Sequence, residues 1–271
     1  MRRRILERAR AAIGVEFGAY RPAIMARRVQ HRALSLGCDS LEDYLRRLDS
    51  EPAELPRLID ALLIKTTELF RELPTFDRLR QELPRLVEQR AVEGNAQLRA
   101  WVAGCSTGEE AYSLACVLLS TVEALEHPLS VRVFASDANP RAIEQARRGV
   151  VARRSEQAPI PPWAERWFEP SAEGLVVAAS IRAVTTFSLH DLLDEHQPVP
   201  QNAIVASFDV VSCRNVLIYL EEPHRRRVLD RLASAVEPHG MLLLGDAEST
   251  PPEEAGLRRP YADAPLYQRA S

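Results

Sequence analysis

No apolar run in this 271-residue chain approaches the roughly 20 residues of a membrane span, and the Arg-rich start lacks the apolar core of a secretory signal. A membrane-inserted or exported protein is therefore not expected; a cytoplasmic one is. Cysteine is scarce: Cys38, Cys105, Cys116 and Cys213 show no CxxC pairing, and three of the four sit in apolar segments. That pattern predicts reduced, buried thiols and no metal site. Repeats and low-complexity segments are also missing. Net charge is small, at −3, but unevenly placed. Residues 1–47 hold 11 basic and 5 acidic groups, against 24 and 33 in the remainder. A basic amino-terminal module beside an acidic body predicts an anionic partner for the module. What the chain has in quantity is apolar residues, 46% of it, enough for a sizeable core.

Up to about residue 92 the periodicity is helical only. Pro22 suits the start of a helix towards Leu36, with Gly37 as its stop. Ser40-Leu41-Glu42-Asp43 resembles a capping box. Further helices are predicted after Pro52 and Pro74, the latter ending near Glu93-Gly94-Asn95. From Leu98 the pattern changes to short apolar strands, Leu98–Ala103, Val131–Ser136 and Phe208–Cys213, alternating with helices. Such alternation predicts an α/β fold with a doubly wound, mostly parallel sheet behind an all-helical amino-terminal module. Residues 151–187 depart from it, with a proline-rich start and an expected hairpin of Leu175–Ala178 with Ala183–Phe187, which reads as a small antiparallel insertion. The expected division is a helical module over 1–75 and a sheet domain over 76–271 that carries this insertion.

Leu98–Leu118, LRAWVAGCSTGEEAYSLACVL, reads as strand, Gly/Ser/Thr turn, two carboxylates and helix. Turn and helix amides, Gly104 among them, can face a ligand there. The segment matches the G-x-S-x-G nucleophile elbow, which would make Ser106 a nucleophile with Asp191 or Asp209 and His224 or His239 as partners. Against that, everything upstream is helical, so no earlier strand supplies an oxyanion donor, and Glu109-Glu110 would oppose a developing oxyanion. A dinucleotide fingerprint needs a third glycine, and a phosphate-binding loop needs Lys where Glu109 stands. Two carboxylates repel phosphates at short range. They suit a phosphate-free ligand with a positive centre, as S-adenosyl-L-methionine is. Asp137, ending the second strand, stands where doubly wound folds place an acid for ribose hydroxyls, and it could equally cap the helix beginning at Asn139-Pro140.

WVAGCSTGEEAYSLA, VFASDANPRAIEQARRG, FDVVSCRNVLIYL and GMLLLGDAES resemble successive motifs of the bacterial chemotaxis receptor methyltransferases, the CheR family, and TTELFRE resembles that family's T-x-F-F-R segment. The likeness covers nearly the whole chain. It implies the S-adenosylmethionine-dependent methyltransferase fold, with S-adenosyl-L-homocysteine as product. It also implies cofactor contacts at Thr67, Arg71, Gly104, Glu109, Asp137, Asp191, Leu192, Asn215 and Val216, and a catalytic pair, Arg71 and Tyr219. Lys65, the only lysine, stands where some relatives place a cofactor-contacting Asn; Ala111 replaces the usual Pro and Leu69 the first Phe. The bland counterparts are a surface arginine, a core tyrosine and an ordinary turn asparagine at Arg71, Tyr219 and Asn215.

The implied reaction moves the sulfonium methyl to the γ-carboxylate of a receptor glutamate. That acceptor is already ionised, since a free Glu titrates near ~4.3, so no catalytic base is needed. Arg21, Arg28 and Arg32 fall on roughly one helical face, which in this family meets the acidic methylation helices of receptor cytoplasmic domains. A solvated charged face is the alternative. Nucleic acid is not expected, because the whole chain is mildly acidic and no aromatics interleave the basic face. Some relatives grip a pentapeptide receptor tether with a G-x-G-P loop; WFEPSAEGLVV is shorter and lacks it, which predicts tether-independent action by a monomer. Methylation of another protein or a small molecule, or cofactor binding without turnover, are the other readings of the same site.

Overall fold

The computed structural model describes residues 1–63, 67–126, 129–152, 160–203, 206–248 and 256–270. The helical start comprises α1 (Arg2–Ile13), α2 (Pro22–Ser35), α3 (Leu41–Ser50), α4 (Glu54–Leu62) and α5 (Leu73–Val92). Local chemistry sets their ends as the spacing predicts: Pro22 opens α2, and Ser40 Oγ accepts from the Asp43 amide at 3.0 Å to cap α3. The first four bury a core of their own, including Ile5, Met25, Val29, Tyr44 and Leu58. The fifth continues through Pro84 and belongs with the sheet, where Phe76, Leu79, Leu83 and Leu86 are buried.

Then follow β1 (Gln97–Ala103), α6 (Glu109–Ala124), β2 (Ser130–Asp137), α7 (Pro140–Arg147), β3 (Val150–Val151), β4 (Phe168–Ser171) and β5 (Gly174–Val177). The chain continues with α8 (Ala179–Val184), β6 (Thr185–Leu189), β7 (Phe208–Cys213), α9 (Glu222–Ser234), β8 (Val236–Leu244), β9 (Leu257–Arg258) and β10 (Leu266–Arg269). The main sheet has seven strands in the order β6-β2-β1-β7-β8-β10-β9. Its first five are mutually parallel, and β10 and β9 close the far edge antiparallel. Alternation along β1 divides the core. Leu98, Ala100 and Val102 face the α5–α6 layer, while Trp101 and Ala103 face the α9 layer.

The antiparallel insertion is present with a different pairing from that expected. β5 lies between β3 and β4 in a separate three-stranded sheet. Ala179–Val184 is helical, and Thr185–Leu189 returns to the main sheet beside β2, in parallel. Two short apolar runs in sequence do not say which strand each will pair with, and the vacant edge of β2 claims the second. None of the described helices is long and apolar enough to cross a membrane.

Candidate active site

The chain leaves β1 for β2 on one side and later enters β7 on the other, so the winding reverses between β1 and β7. Ligand crevices form at the carboxyl ends of strands at such a switch point. A pocket lies there with about 940 Å³ of empty space, part of it open to solvent. After β1 the chain turns through Gly104 (φ +80°), and a Cβ at that position would stand 2.5 Å from Val216 Cγ2. The Gly104 and Cys105 amides donate to the Ser136 carbonyl at 2.8 and 2.9 Å, which holds the turn against the end of β2. Asp137 is held from both sides: Ser106 N donates to Oδ2 and Asn139 N to Oδ1, each at 2.8 Å. Asn139 in turn caps α7. The helix cap at this strand end is thus Asn139 and not Asp137.

Thr67, Arg71, Gly104, Asp137, Asp191, Leu192, Asn215, Val216 and Tyr219, nine of the expected residues, line this one pocket. Glu109 does not. It is 3% exposed and accepts from Thr107 Oγ1 at 2.6 Å, beneath the turn. The carboxylate facing the pocket is its neighbour Glu110, which accepts from Ser212 Oγ at 2.7 Å. Adjacent residues on a helix point about 100° apart, and sequence alone does not select between the two. Lys65 lies outside the described residues.

The expected receptor-facing arginines are placed differently from a free basic stripe. Arg32 forks onto Glu54, with bonds of 2.8 and 2.6 Å, and Glu54 also accepts from the Tyr44 hydroxyl at 2.9 Å. Arg28 Nη1 donates to the Ala61 and Leu62 carbonyls that end α4, and its guanidinium lies 5.7 Å from the Tyr219 ring centre. Arg21 is exposed beside the pocket, its Nε 3.4 Å from the Leu220 carbonyl oxygen. Of the three, Arg28 and Arg32 are both bonded within the module, Arg32 to a buried carboxylate.

Of the nucleophile-elbow residues, Ser106 and Asp191 line the pocket, but Asp209, His224 and His239 do not. Asp209 sits at the start of β7, paired with Arg90 at 2.6 Å and with the Arg99 amide at 2.7 Å. His190 lines the pocket, but its ring nitrogens meet Ser136 Oγ at 3.4 Å and the Gln197 carbonyl at 2.8 Å. Burial lowers its pKa, so it is a neutral structural ring. Burial, then the charges of Asp137 and Glu110, push the Cys105 thiol well up, which suits a small apolar filler.

A residue not singled out from sequence holds the opposite wall. The Arg214 side chain is fully buried; Nη2 donates to Glu72 Oε2 at 2.8 Å and to the Arg71 carbonyl at 2.6 Å. Its Nε and Nη1 have no hydrogen-bond partner among the described residues. Glu248, in the last motif, accepts from the Val216, Leu217 and Gly245 amides at 2.8, 2.7 and 2.6 Å and so pins the Asn215–Val216 turn. Asn215 takes a left-handed φ of +58° there. Their positions inside the R-N-V and GDAES motifs were the available signal. Burial raises the carboxyl pKa of Glu110, Asp191 and Glu248. Glu72 goes the other way, because Arg214 and Asn215 outweigh its burial. Asp137, Asp191 and Glu110 with Arg71 and Arg214 make a pocket of both signs. It fits a ligand carrying hydroxyls, a cationic centre and a carboxylate, and Arg214's buried donors, of which Nη1 also lies 3.8 Å from Glu110, suit that carboxylate.

Residues 65–260 match the family description "CheR methyltransferase, SAM binding domain", and residues 2–63 match "CheR methyltransferase, all-alpha domain". The chain is similar to chemotaxis protein methyltransferase 2 of Pseudomonas aeruginosa, 30% identical over 90% of this chain and 85% of that protein. It is 29% identical to the chemotaxis protein methyltransferase of Escherichia coli, over 91% of this chain and 83% of that one. It is also 32% identical to an uncharacterized 104.1 kDa protein of Rhodobacter capsulatus over 91% of this chain, spanning only 25% of that larger protein's length.

Proposed function

The chain belongs to the CheR methyltransferase family, and on that premise we propose that it methylates glutamate side chains on the cytoplasmic helices of chemoreceptors, giving glutamyl methyl esters. S-adenosyl-L-methionine is the cofactor and S-adenosyl-L-homocysteine the product. The observation that carries the reading is the convergence of Arg71, Asp137, Asn215 and Tyr219, from three separate segments, on one pocket at the switch point.

Bound there, the cofactor supplies an electrophilic sulfonium methyl. Asp137, oriented by a backbone amide on each oxygen, takes the ribose hydroxyls. Asp191 and Leu192 form the adenine side, and Asn215, Val216 and Thr67 complete the cradle. Glu110 takes the part first expected of Glu109, and Arg214 holds the amino-acid carboxylate. Arg71 and Tyr219 orient the acceptor carboxylate in line with the methyl, with Arg28 beside the tyrosine ring and Arg21 at the exposed margin. Nucleophile and electrophile carry opposite charges that cancel in the transition state, so excluding water favours the reaction. Alignment can supply on the order of 7–11 kcal/mol.

The enzyme acts in the cytoplasm, as a monomer, and without a pentapeptide tether; the turn joining β4 to β5 is only Ala172-Glu173. Transfer of labelled methyl from the cofactor to receptor cytoplasmic fragments tests the reading. The expected label is released by mild base, as an ester is. A base-stable label, or none, overturns the glutamyl reading, and micromolar binding of a tether pentapeptide overturns tether independence.

A further inference from the structure

The helical module supplies Tyr20, Met25, Leu62 and Leu63 to the cofactor pocket. Of these, only Tyr20 carries a polar group. It follows a single 3-10 turn, Phe17–Ala19, and its backbone pairs with Leu220 in an isolated antiparallel bridge. Bonds on either side fix it: the Arg21 amide donates to the Tyr219 carbonyl, and the Glu221 amide to the Ala19 carbonyl, both at 2.9 Å. The ring packs at once against the module's core and the core under α9. A loop residue held by two long-range backbone bonds and two cores has little freedom to leave the pocket.

The phenol also has a defined electrical setting. Burial, then Asp191 and Asp137, push its pKa up, so the hydroxyl stays a donor at any physiological pH. Among the described residues that hydroxyl makes no hydrogen bond. A half-buried donor sharing the pocket wall with Asp137 and Asp191, on the side assigned to ribose and adenine, is suited to a neutral polar ligand that accepts there.

We propose that Tyr20 is a cofactor-binding residue, donating its hydroxyl to the nucleoside end of the cofactor, the end lined by Asp137 and Asp191, and closing that end with its ring. The proposal rests on the pocket being the S-adenosylmethionine site. Its consequence is that the helical module itself senses whether cofactor is present, through a residue stitched to the loop that bears Tyr219.

Calorimetric titration of S-adenosylhomocysteine and of 5′-methylthioadenosine, which lacks the amino-acid portion, into the full chain tests this. Tyr20→Phe keeps the ring and both core contacts, so the melting temperature without ligand should not change. It should weaken both ligands by the same factor, about five- to tenfold for one hydrogen bond. Tyr20→Leu, without the ring, should weaken both further. Wild-type affinity of Tyr20→Phe for both ligands overturns the proposal. So does a loss confined to S-adenosylhomocysteine, which would put the contact at the amino-acid end. If the wild-type chain binds neither ligand, the cofactor reading of the pocket fails instead.

Discussion

At the scale of single residues, Arg71 separates function from stability. Its side chain is 34% exposed and lines the pocket, and its ion pair with Glu72, at 3.9 Å, is of the part-exposed kind worth at most about 1 kcal/mol. Arg71→Ala should therefore lower methyl transfer by about a hundredfold or more while the melting temperature barely moves; wild-type turnover in that variant would remove it from the catalytic role. Asp137 behaves otherwise, because each of its oxygens already accepts a backbone amide. Asp137→Asn turns an NH2 towards one of those amides, so cofactor affinity should fall at least about tenfold and some stability should be lost with it. The adjacent carboxylates show where residue-level reading stops: motif position selects the pair Glu109-Glu110, and only the rotation of α6 selects Glu110.

At the scale of elements, local sequence specified what each segment is better than what it touches. Proline starts, the Ser40 cap and apolar periodicity placed α2 to α7 and β1, β2 and β7, because those signals act within a few residues. β5 pairs with β3 and β4 instead of the expected Ala183–Phe187, since pairing depends on which sheet edge is vacant. Spacing puts Arg21, Arg28 and Arg32 on roughly one helical face, yet Arg32 joins α2 to α4 through Glu54, which is 1% exposed. Burial alone would raise the Glu54 carboxyl, but the Arg32 fork and the Tyr44 hydroxyl outweigh it and hold it below the ordinary range. A depressed carboxylate stabilises the fold above its unfolded-state value, near ~4.3, and that contribution disappears as pH falls through the lower folded value. Helical circular dichroism during acid titration should show Glu54→Gln less stable than wild type at neutral pH, with the difference shrinking below about pH 4. Arg32→Ala, leaving Glu54 buried and unpaired, should cost about 3–5 kcal/mol. In the turn after β1, Gly104→Ala forces a Cβ against Val216 at a left-handed φ, so it should destabilise by about 1–2 kcal/mol and also weaken cofactor binding.

For the whole molecule, the module and the sheet are parts of one site. Asp60 of α4 accepts from Asn139 Nδ2 at 3.1 Å and pairs with Arg141 at 3.0 Å, tying the module to the start of α7, while Tyr20, Leu62 and Leu63 line the pocket. S-adenosylhomocysteine at a hundred times its Kd should raise stability by about 2.7 kcal/mol. Calorimetric melting should show module and sheet shifting together, and a shift of the sheet alone would contradict a shared pocket. The sequence by itself determined the family, the helical start, the parallel sheet and the motif residues, because caps, periodicity and motif order are encoded in neighbouring positions. The tertiary structure alone decided that Glu110 faces the pocket, that Arg214 lies buried in its wall, that Arg32 turns towards Glu54, and that Tyr20 reaches the pocket from the helical module. Each of those depends on chain segments far apart in sequence, and burial, charge and hydrogen-bond pairing exist for them only once the segments meet.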